Sequence, residues 1–282
     1  MRYFDSFPAI HYMKTLINIC VIGLIFFSNH VYAQAGITVS PGKVYFKSAT
    51  GEPTIQKIQV SNPNNRELQV GVSLSDWSYD AFGNNIMHDA NTIKTSCTNW
   101  IEVLPGSYFT LGAREQREVT ISITPPPDTK TDVGVHTAMI FFTQLNPGDA
   151  RREDGSMIKV SVRMGVKVYH SFPQPEKRNM EVLNFIDKID PQHKELPGYL
   201  ELEVENTSNI WLDSKIKLEL LNTQTGAKEK INNVDMYSLP GDKRTVRITL
   251  PANLKKGKYN ATAVISYGNK DELKVVELEF ER

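Results

Sequence analysis

Histidine, cysteine and clustered carboxylates carry most enzymatic chemistry, and in this chain the candidates are few and scattered. His88, His136, His170 and His193 lie far apart in sequence and lack the spacing of metal ligands. Cys97 has no histidine beside it, so we expect a small buried hydrophobe rather than a nucleophile. Motifs for an activated serine, a zinc protease or a phosphate-binding loop are missing from the sequence. We therefore expect a protein that is not an enzyme, with no catalytic residue, no metal site and no cofactor.

Residues 158–168 show an alternating pattern that indicates a binding function and not a catalytic one. Apolar side chains alternate strictly with non-apolar ones over this segment, and alternate side chains of a β-strand point to the same face. The sequence therefore predicts one long strand with a continuous apolar face, which either the chain's own core or a partner must cover. The apolar residues are Ile158, Val160, Val162, Met164, Val166 and Val168.

The first 35 residues have the composition of a secretory signal peptide. Lys14 supplies positive charge, residues 16–27 form a mostly apolar run, and residues 33–35 read Ala-Gln-Ala, a small-residue cleavage pattern. The apolar run is shorter than the roughly 20 residues of a spanning helix, so we expect no stable membrane anchor. Cleavage near Ala35 would release an exported protein.

Charge and cysteine content narrow the function further. The chain has 32 basic and 32 acidic residues, so it lacks the positive field that nucleic-acid binding requires. Only Cys97 follows the apolar N-terminal run, so an internal disulfide cannot brace the exported protein. The fold must therefore be stabilised by its hydrophobic cores without a disulfide.

Short alternating or β-branched runs, separated by turn residues, continue through the rest of the chain. Three consecutive prolines at 125–127 and the Asn-Pro-Asn-Asn segment at 62–65 are typical of the turns between strands. The pattern predicts an all-β protein with two immunoglobulin-like β-sandwich domains in tandem after the signal peptide. We place the signal peptide at 1–35, the first domain at 36–172, a proline-containing linker at 173–178 and the second domain at 179–282.

Two stretches of the first domain resemble the N-terminal domain of the periplasmic pilus-assembly chaperones, the PapD-like family. The first reads Val39-Ser-Pro-Gly-Lys-Val-Tyr-Phe46 and is followed by Ile58-Gln-Val-Ser-Asn62. The second ends in Val166-Lys-Val-Tyr169, a basic residue in an apolar and aromatic context. The second domain carries little of the resemblance.

The resemblance implies a mechanism, strand donation to an incomplete subunit. Lys43, where the family usually has arginine, and Lys167 match the two cleft residues that bind the subunit's terminal carboxylate. Ile158, Val160 and Val162 match the apolar residues that fill the subunit's groove. The implied protein is a periplasmic chaperone of pilus or surface-fibre subunits, with an outer-membrane usher as a further partner.

Three other interpretations of the same residues remain open. The alternating face could belong to the chain's own sandwich, with both lysines simply solvated. The protein could instead be a non-enzymatic scaffold or adhesion protein of the cell envelope that binds a glycan or another envelope protein. A hydrolase with a dispersed site is the third. An exposed edge strand would also favour a self-capping dimer.

Overall fold

The structure is a computed structural model that describes residues 36–151, 155–189, 198–268 and 273–282, with the backbone alone at 149–151. The expected signal peptide lies outside the described residues. Residues 36–282 form one compact unit. The described strands of its first half are β1 Thr38–Ser40, β2 Lys43–Lys47, β3 Thr54–Ser61, β4 Leu68–Tyr79, β5 Asn85–His88, β6 Ile101–Leu104, β7 Tyr108–Leu111, β8 Gln116–Ile123, β9 Val135–Gln144, β10 Asp149–Arg151, β11 Met157–Lys159 and β12 Arg163–Ser171. Those of its second half are β13 Met180–Lys188, β14 Tyr199–Asn206, β15 Leu212–Asn222, β16 Lys228–Lys230, β17 Val234–Ser238, β18 Lys243–Thr249, β19 Lys258–Ser266 and β20 Leu273–Glu281.

The first half folds as a β-sandwich. One sheet has the order β1-β3-β8-β6, and the other has the order β2-β12-β9-β4-β5 with β7 beside β4. Alternate apolar residues from both sheets meet in a shared core, among them Ile121 of β8, Phe142 of β9 and Val168 of β12, which are all fully buried. Cys97 belongs to this core, as expected, and burial raises the pKa of its thiol.

The second half folds as another sandwich, so the prediction of an all-β chain with two sandwiches is confirmed. Its sheets have the orders β13-β14-β18 and β16-β15-β19-β20, with β17 beside β15. Strict alternation along β15 puts every second side chain, from Leu212 to Leu220, into the core. A search of the described residues finds no helix of the length and hydrophobicity that a membrane span requires.

The prediction of one continuous strand over residues 158–168 is wrong, because residues 160–162 interrupt it. Residues 157–159 form β11, which pairs with β10 in a short hairpin, and β12 begins only at Arg163. Val160 and Val162 lie in the connection between the two strands. The physical reason is that β9, the neighbour of β12, ends at Gln144, so the residues before Arg163 have no long partner strand to continue the ladder.

The two sandwiches share an apolar seam. Trp77, Met139 and Tyr169 lie on the outer face of the six-stranded sheet, yet they belong to the same buried cluster as the core of the second sandwich. The Trp77 indole donates a hydrogen bond of 2.9 Å to the Ala138 carbonyl, which satisfies its polar atom inside this seam. A fully buried Trp77 offers no face to a glycan.

Candidate functional site

The structure brings Lys43 and Lys167 side by side. β2 and β12 are parallel neighbours, and Lys43 is the register partner of Lys167 at the first rung of their ladder. The backbone N–H of Lys167 donates a hydrogen bond of 3.0 Å to the Gly42 carbonyl. Residues more than 120 positions apart thus present two ammonium groups at one point of the sheet edge.

Lys167 lies in a pocket of aromatic rings. Its Nζ donates a hydrogen bond of 2.9 Å to the Tyr79 hydroxyl and lies 4.1 Å from the centre of the Trp77 ring. Burial, followed by the positive charges of Lys43 and Arg244, lowers the pKa of Lys167 to about 8. The ammonium is therefore partly desolvated and short of negative partners, which favours the arrival of an anion.

Lys43 stands on the side of the second sandwich. Its Nζ lies 3.7 Å from the centre of the Tyr237 ring. Tyr45, two residues further along β2, stacks on Tyr169 at 5.2 Å and on Trp211 at 5.0 Å between ring centres. The pair of lysines is thus backed by an aromatic wall to which both sandwiches contribute.

Arg244 brings a third positive charge from the second sandwich. It is buried, and its guanidinium lies 4.9 Å from the centre of the Tyr79 ring. Its Nη1 donates a hydrogen bond to the Asp80 carbonyl, while its Nε has no partner among the described residues. Asp213 is the acidic residue that acts on Lys167 in the opposite direction, raising its pKa.

Above the lysines, one edge of β12 is open. Even-numbered residues of β12 bond to β9, and the same side is used just before β12 begins, where Gln144 N–H donates a hydrogen bond of 2.9 Å to the Val162 carbonyl. The backbone groups of Arg163 and Gly165 point the other way, and no described strand pairs with that side until β2 begins at Lys43. The open edge therefore starts near Val162 and ends at the two lysines.

The predicted donor residues differ in how free they are. Val160 is half exposed, Ile158 is partly buried within the β10–β11 hairpin, and Val162 packs against the first sandwich's core. Further along the same face, Val166 and Val168 are fully buried in that core. Exposure of the alternating face thus rises from the buried Val166 to the half-exposed Val160 and falls again at Ile158 in the hairpin.

This arrangement can bind an extended chain that ends in a carboxylate. The open edge offers backbone hydrogen bonds, the exposed part of the apolar face offers side-chain contacts, and the ammonium groups sit where β2 blocks further extension. The order of these features along β12 determines which way a bound chain would run, with its carboxylate at the lysines.

Sequence reasoning missed the groups that surround the lysines. Tyr79 and Arg244 are separated by most of the chain, and nothing local marks either of them as part of a site. The alternation of Asp-Trp-Ser-Tyr at the end of β4 puts Trp77 and Tyr79 on one face, which was the only available signal.

Comparison with known proteins gave structural matches only. No family model matches this chain, and no curated protein matches it. Three solved structures illustrate the similarity. The class 5 fimbriae chaperone CfaA is 10% identical, with a TM-score of 0.47 over 86% of this chain and 98% of that one. The Salmonella enterica SafA pilin in complex with the SafB chaperone gives 15% identity and a TM-score of 0.46, over 86% of this chain and 96% of that one. The CsuC-CsuE chaperone–tip subunit complex from the Csu pili of Acinetobacter baumannii gives 12% identity and a TM-score of 0.46, over 86% of this chain and 98% of that one.

Proposed function

We propose that this protein is a chaperone that binds pilus or surface-fibre subunits and completes their fold by lending the segment around β11 and β12. Lys43 and Lys167 bind the terminal carboxylate of the subunit, and Ile158, Val160 and Val162 fill its groove. The protein acts by binding and not by catalysis.

The observation that carries the proposal is the place where the open edge ends. β2 begins to pair with β12 at the rung formed by Lys43 and Lys167, so a strand added along β12 must stop there. The two ammonium groups at this end of the open edge attract the negatively charged end of a polypeptide chain, which is its C-terminus. The added strand then runs parallel to β12.

Apolar contacts and charge have separate roles in this mechanism. Burying three branched aliphatic side chains contributes about 5 kcal/mol before the cost of ordering the segment. Charge-assisted hydrogen bonds to the carboxylate add about 2 to 3 kcal/mol. The apolar face therefore supplies most of the affinity, and the lysines set the register against slippage by one residue.

The proposed role requires export to the periplasm, where such subunits fold before assembly. It also names the wider set of partners: the subunits themselves, an outer-membrane usher that receives them, and a second copy of this chain that caps the open edge while no subunit is bound.

The test is capture of a subunit from the envelope fraction by tagged protein, followed by mass spectrometry. We expect one small β-rich protein to co-purify with the wild type and to be lost with Lys167→Ala. Lys57→Ala is the matched control, because Lys57 is an exposed lysine on β3 whose ammonium pairs with Glu118 at 2.6 Å.

The captured protein is then produced with its C-terminus free or amidated. Tighter binding of the free form supports the carboxylate anchor. Equal binding of both forms, or undiminished capture by Lys167→Ala, contradicts it. Capture of a glycan or of a large envelope protein instead of a subunit would favour the scaffold interpretation.

A further inference from the structure

The turn that joins β4 to β5 has a shape of its own. The Asp80 carboxylate accepts hydrogen bonds of 2.8 Å from the backbone N–H groups of Phe82 and Asn84. Gly83 has a φ of +95°, which residues with a side chain rarely adopt. These bonds hold residues 80–84 in one conformation without help from the second sandwich.

This turn covers the open side of β18, an edge strand of the second sandwich. The backbone N–H of Thr245 donates a hydrogen bond of 2.7 Å to the Ala81 carbonyl, and Arg244 Nη1 donates to the Asp80 carbonyl. β18 pairs with β14 on its other side, so the turn takes the place of a further strand.

Two more contacts show how closely the turn and β18 fit. The guanidinium of Arg247 lies 4.7 Å from the centre of the Phe82 ring. A Cβ atom built at Gly83 would overlap the guanidinium of Arg244. The backbone conformation favours glycine at this position, and a side chain here would displace the end of the flexible Arg244 side chain.

The turn is one residue away from the lysine pocket. Tyr79 ends β4 directly before the turn, and its ring lies between two cations. The Arg244 guanidinium is 4.9 Å from the centre of the Tyr79 ring. The Tyr79 hydroxyl accepts the hydrogen bond of 2.9 Å from Lys167 Nζ. A continuous line of contacts thus runs from β18 through the turn and Tyr79 to Lys167.

We infer that the turn at residues 80–84 is a positioning element that couples the second sandwich to the carboxylate site. It holds β18 against the first sandwich, which keeps Arg244 against Tyr79 and Tyr79 against Lys167. Arg244 and Tyr79 are positioning residues, since they act on the anchor and not on the incoming chain. The consequence for subunit binding rests on the proposed function, whereas the coupling itself does not.

The charge state of Lys167 reports this coupling directly. Several titratable groups surround its ammonium, and most of them are delivered by other elements. They are Lys43 on β2, Tyr79 on β4, Asp213 on β15 and Arg244 on β18, with Tyr169 of β12 itself in a hydrogen bond with Tyr79. Of these, Arg244 and Tyr79 depend on the turn, so disturbing the turn should bring the pKa of Lys167 closer to that of a free lysine.

The test compares two glycine substitutions in the full exported chain. Gly83→Ala pushes the Arg244 guanidinium away, whereas Gly226→Ala places a side chain at a similar positive φ of +73° in a turn where it meets nothing. The pKa of Lys167 is read by NMR titration of its ε-methylene group, assigned with Lys167→Arg. We expect Gly226→Ala to leave the pKa at about 8. We expect Gly83→Ala to raise it by about one unit, because a neighbouring cation recedes and water enters.

A second pair of variants removes one backbone hydrogen bond and decides the matter if Gly83→Ala folds poorly. Thr245→Pro deletes the N–H that reaches Ala81 while leaving the ladder with β14, because this N–H points away from β14. Lys243→Pro, at the start of the same strand, is the control. We expect the pKa of Lys167 to rise in Thr245→Pro alone.

The two proposals can fail separately. If the pKa of Lys167 stays at about 8 in both Gly83→Ala and Thr245→Pro, the coupling is wrong, whatever happens to subunit capture. If the pKa rises but capture never depends on Lys167, the coupling stands and the proposed function falls. If both hold, Gly83→Ala weakens capture by up to tenfold, less than Lys167→Ala does, because the ammonium stays charged but is better hydrated and gains less from the carboxylate.

Discussion

At the scale of single residues, the environment of Lys167 favours binding of an anion, because its ammonium has no ion-pair partner among the described residues. Aromatic rings and two other cations surround it, so its ammonium is less stable than in water. A carboxylate that enters this pocket relieves that cost and gains charge-assisted hydrogen bonds. The site therefore favours a negative chain end over an uncharged one.

The pH dependence of subunit binding follows from this environment. The ammonium of Lys167 is protonated below a pKa of about 8 and loses its charge above it, so affinity should fall as the pH rises. Between pH 7 and pH 9 the charged fraction of Lys167 drops about tenfold, so the affinity for the subunit should drop by up to tenfold. Isothermal titration of the captured subunit measures this. Lys167→Arg, which stays charged, should flatten the profile, and an unchanged slope in that variant would contradict the assignment.

Two buried histidines predict a separate sensitivity to acid. His136 and His170 lie in the first sandwich beside Trp100, and their Nδ1 atoms have no partner among the described residues. The pKa of each is lowered to about 4, mainly by burial; for His136 the neighbouring His170 acts in the same direction and Asp132 opposes it. In the unfolded chain each titrates near 6.5, so the unfolded state takes up protons first and stability falls from pH 6.5 down to about 4.

The expected loss approaches 1.4 kcal/mol per pH unit for each histidine and is smaller where water reaches the rings. Urea unfolding at a series of pH values measures it. His136→Phe should reduce the acid slope, whereas His88→Gln, on β5, should retain it. A slope that is the same in all three proteins would mean that the buried rings are not responsible.

At the scale of elements, β12 shows that one alternating face can serve two environments. Val168 and Val166 lie in the chain's own core, and Val160 is half exposed beyond the end of β9. The same pattern therefore stabilises the sandwich at one end and remains available to a partner at the other.

A pair of matched substitutions separates these two roles. Val160→Asp should leave the free energy of unfolding within about 0.5 kcal/mol of the wild type, because the side chain reaches solvent, and should abolish subunit capture. Val168→Asp should cost more than about 3 kcal/mol, because it buries an unpaired carboxylate. Chemical denaturation and the capture assay measure the two effects. If Val160→Asp also unfolds the protein, the exposed end belongs to the core after all.

The sequence predicts the strands best where alternation is long and misses them where the ladder is short or irregular. The alternating or β-branched runs at residues 54–61 and 135–144 predict two strands, and β3 and β9 have these bounds. The sequence pattern predicts no strand at residues 180–188, where β13 lies, because a bulge between Val182 and Asn184 shifts the alternation in mid-strand. The break after Lys159 was missed because period two records which face a residue points to and not whether a neighbouring strand is present.

For the candidate site, local patterns identified the two lysines through their resemblance to a family, and the structure brings them together. Their role as a carboxylate anchor and the role of the donor residues stay predictions. Tyr79 and Arg244 could not be predicted, since their meeting depends on how the two sandwiches pack.

At the scale of the whole molecule, the two sandwiches are joined by a core as well as by a linker. Trp77 and Tyr169 of the first half belong to the apolar cluster of the second, and Tyr169 packs on Trp211 at 5.3 Å between ring centres. A shared core of this kind makes the unfolding of one sandwich expose apolar surface on the other.

We therefore expect residues 36–282 to unfold in a single calorimetric transition, with equal calorimetric and van't Hoff enthalpies. Trp211→Ala should lower the stability by about 2 kcal/mol and split the transition in two, because the seam loses its central ring. Tyr108→Ala, which removes an exposed ring of the first sandwich, should leave one transition. Two transitions in the wild type would contradict the shared core.

The rung at which β2 closes the edge of β12 has a practical consequence for work with candidate subunits. Among the described residues, Arg163 to Val166 lie open before this rung, a span of about 13 Å, so under the proposed function a peptide appended beyond a subunit's natural terminus would run into β2. If Lys43 and Lys167 bind the terminal carboxylate as proposed, a purification tag fused at that terminus would block the interaction. Recombinant subunits should therefore carry their tags at the N-terminus, and a screen built on C-terminal fusions would report this protein as having no ligand.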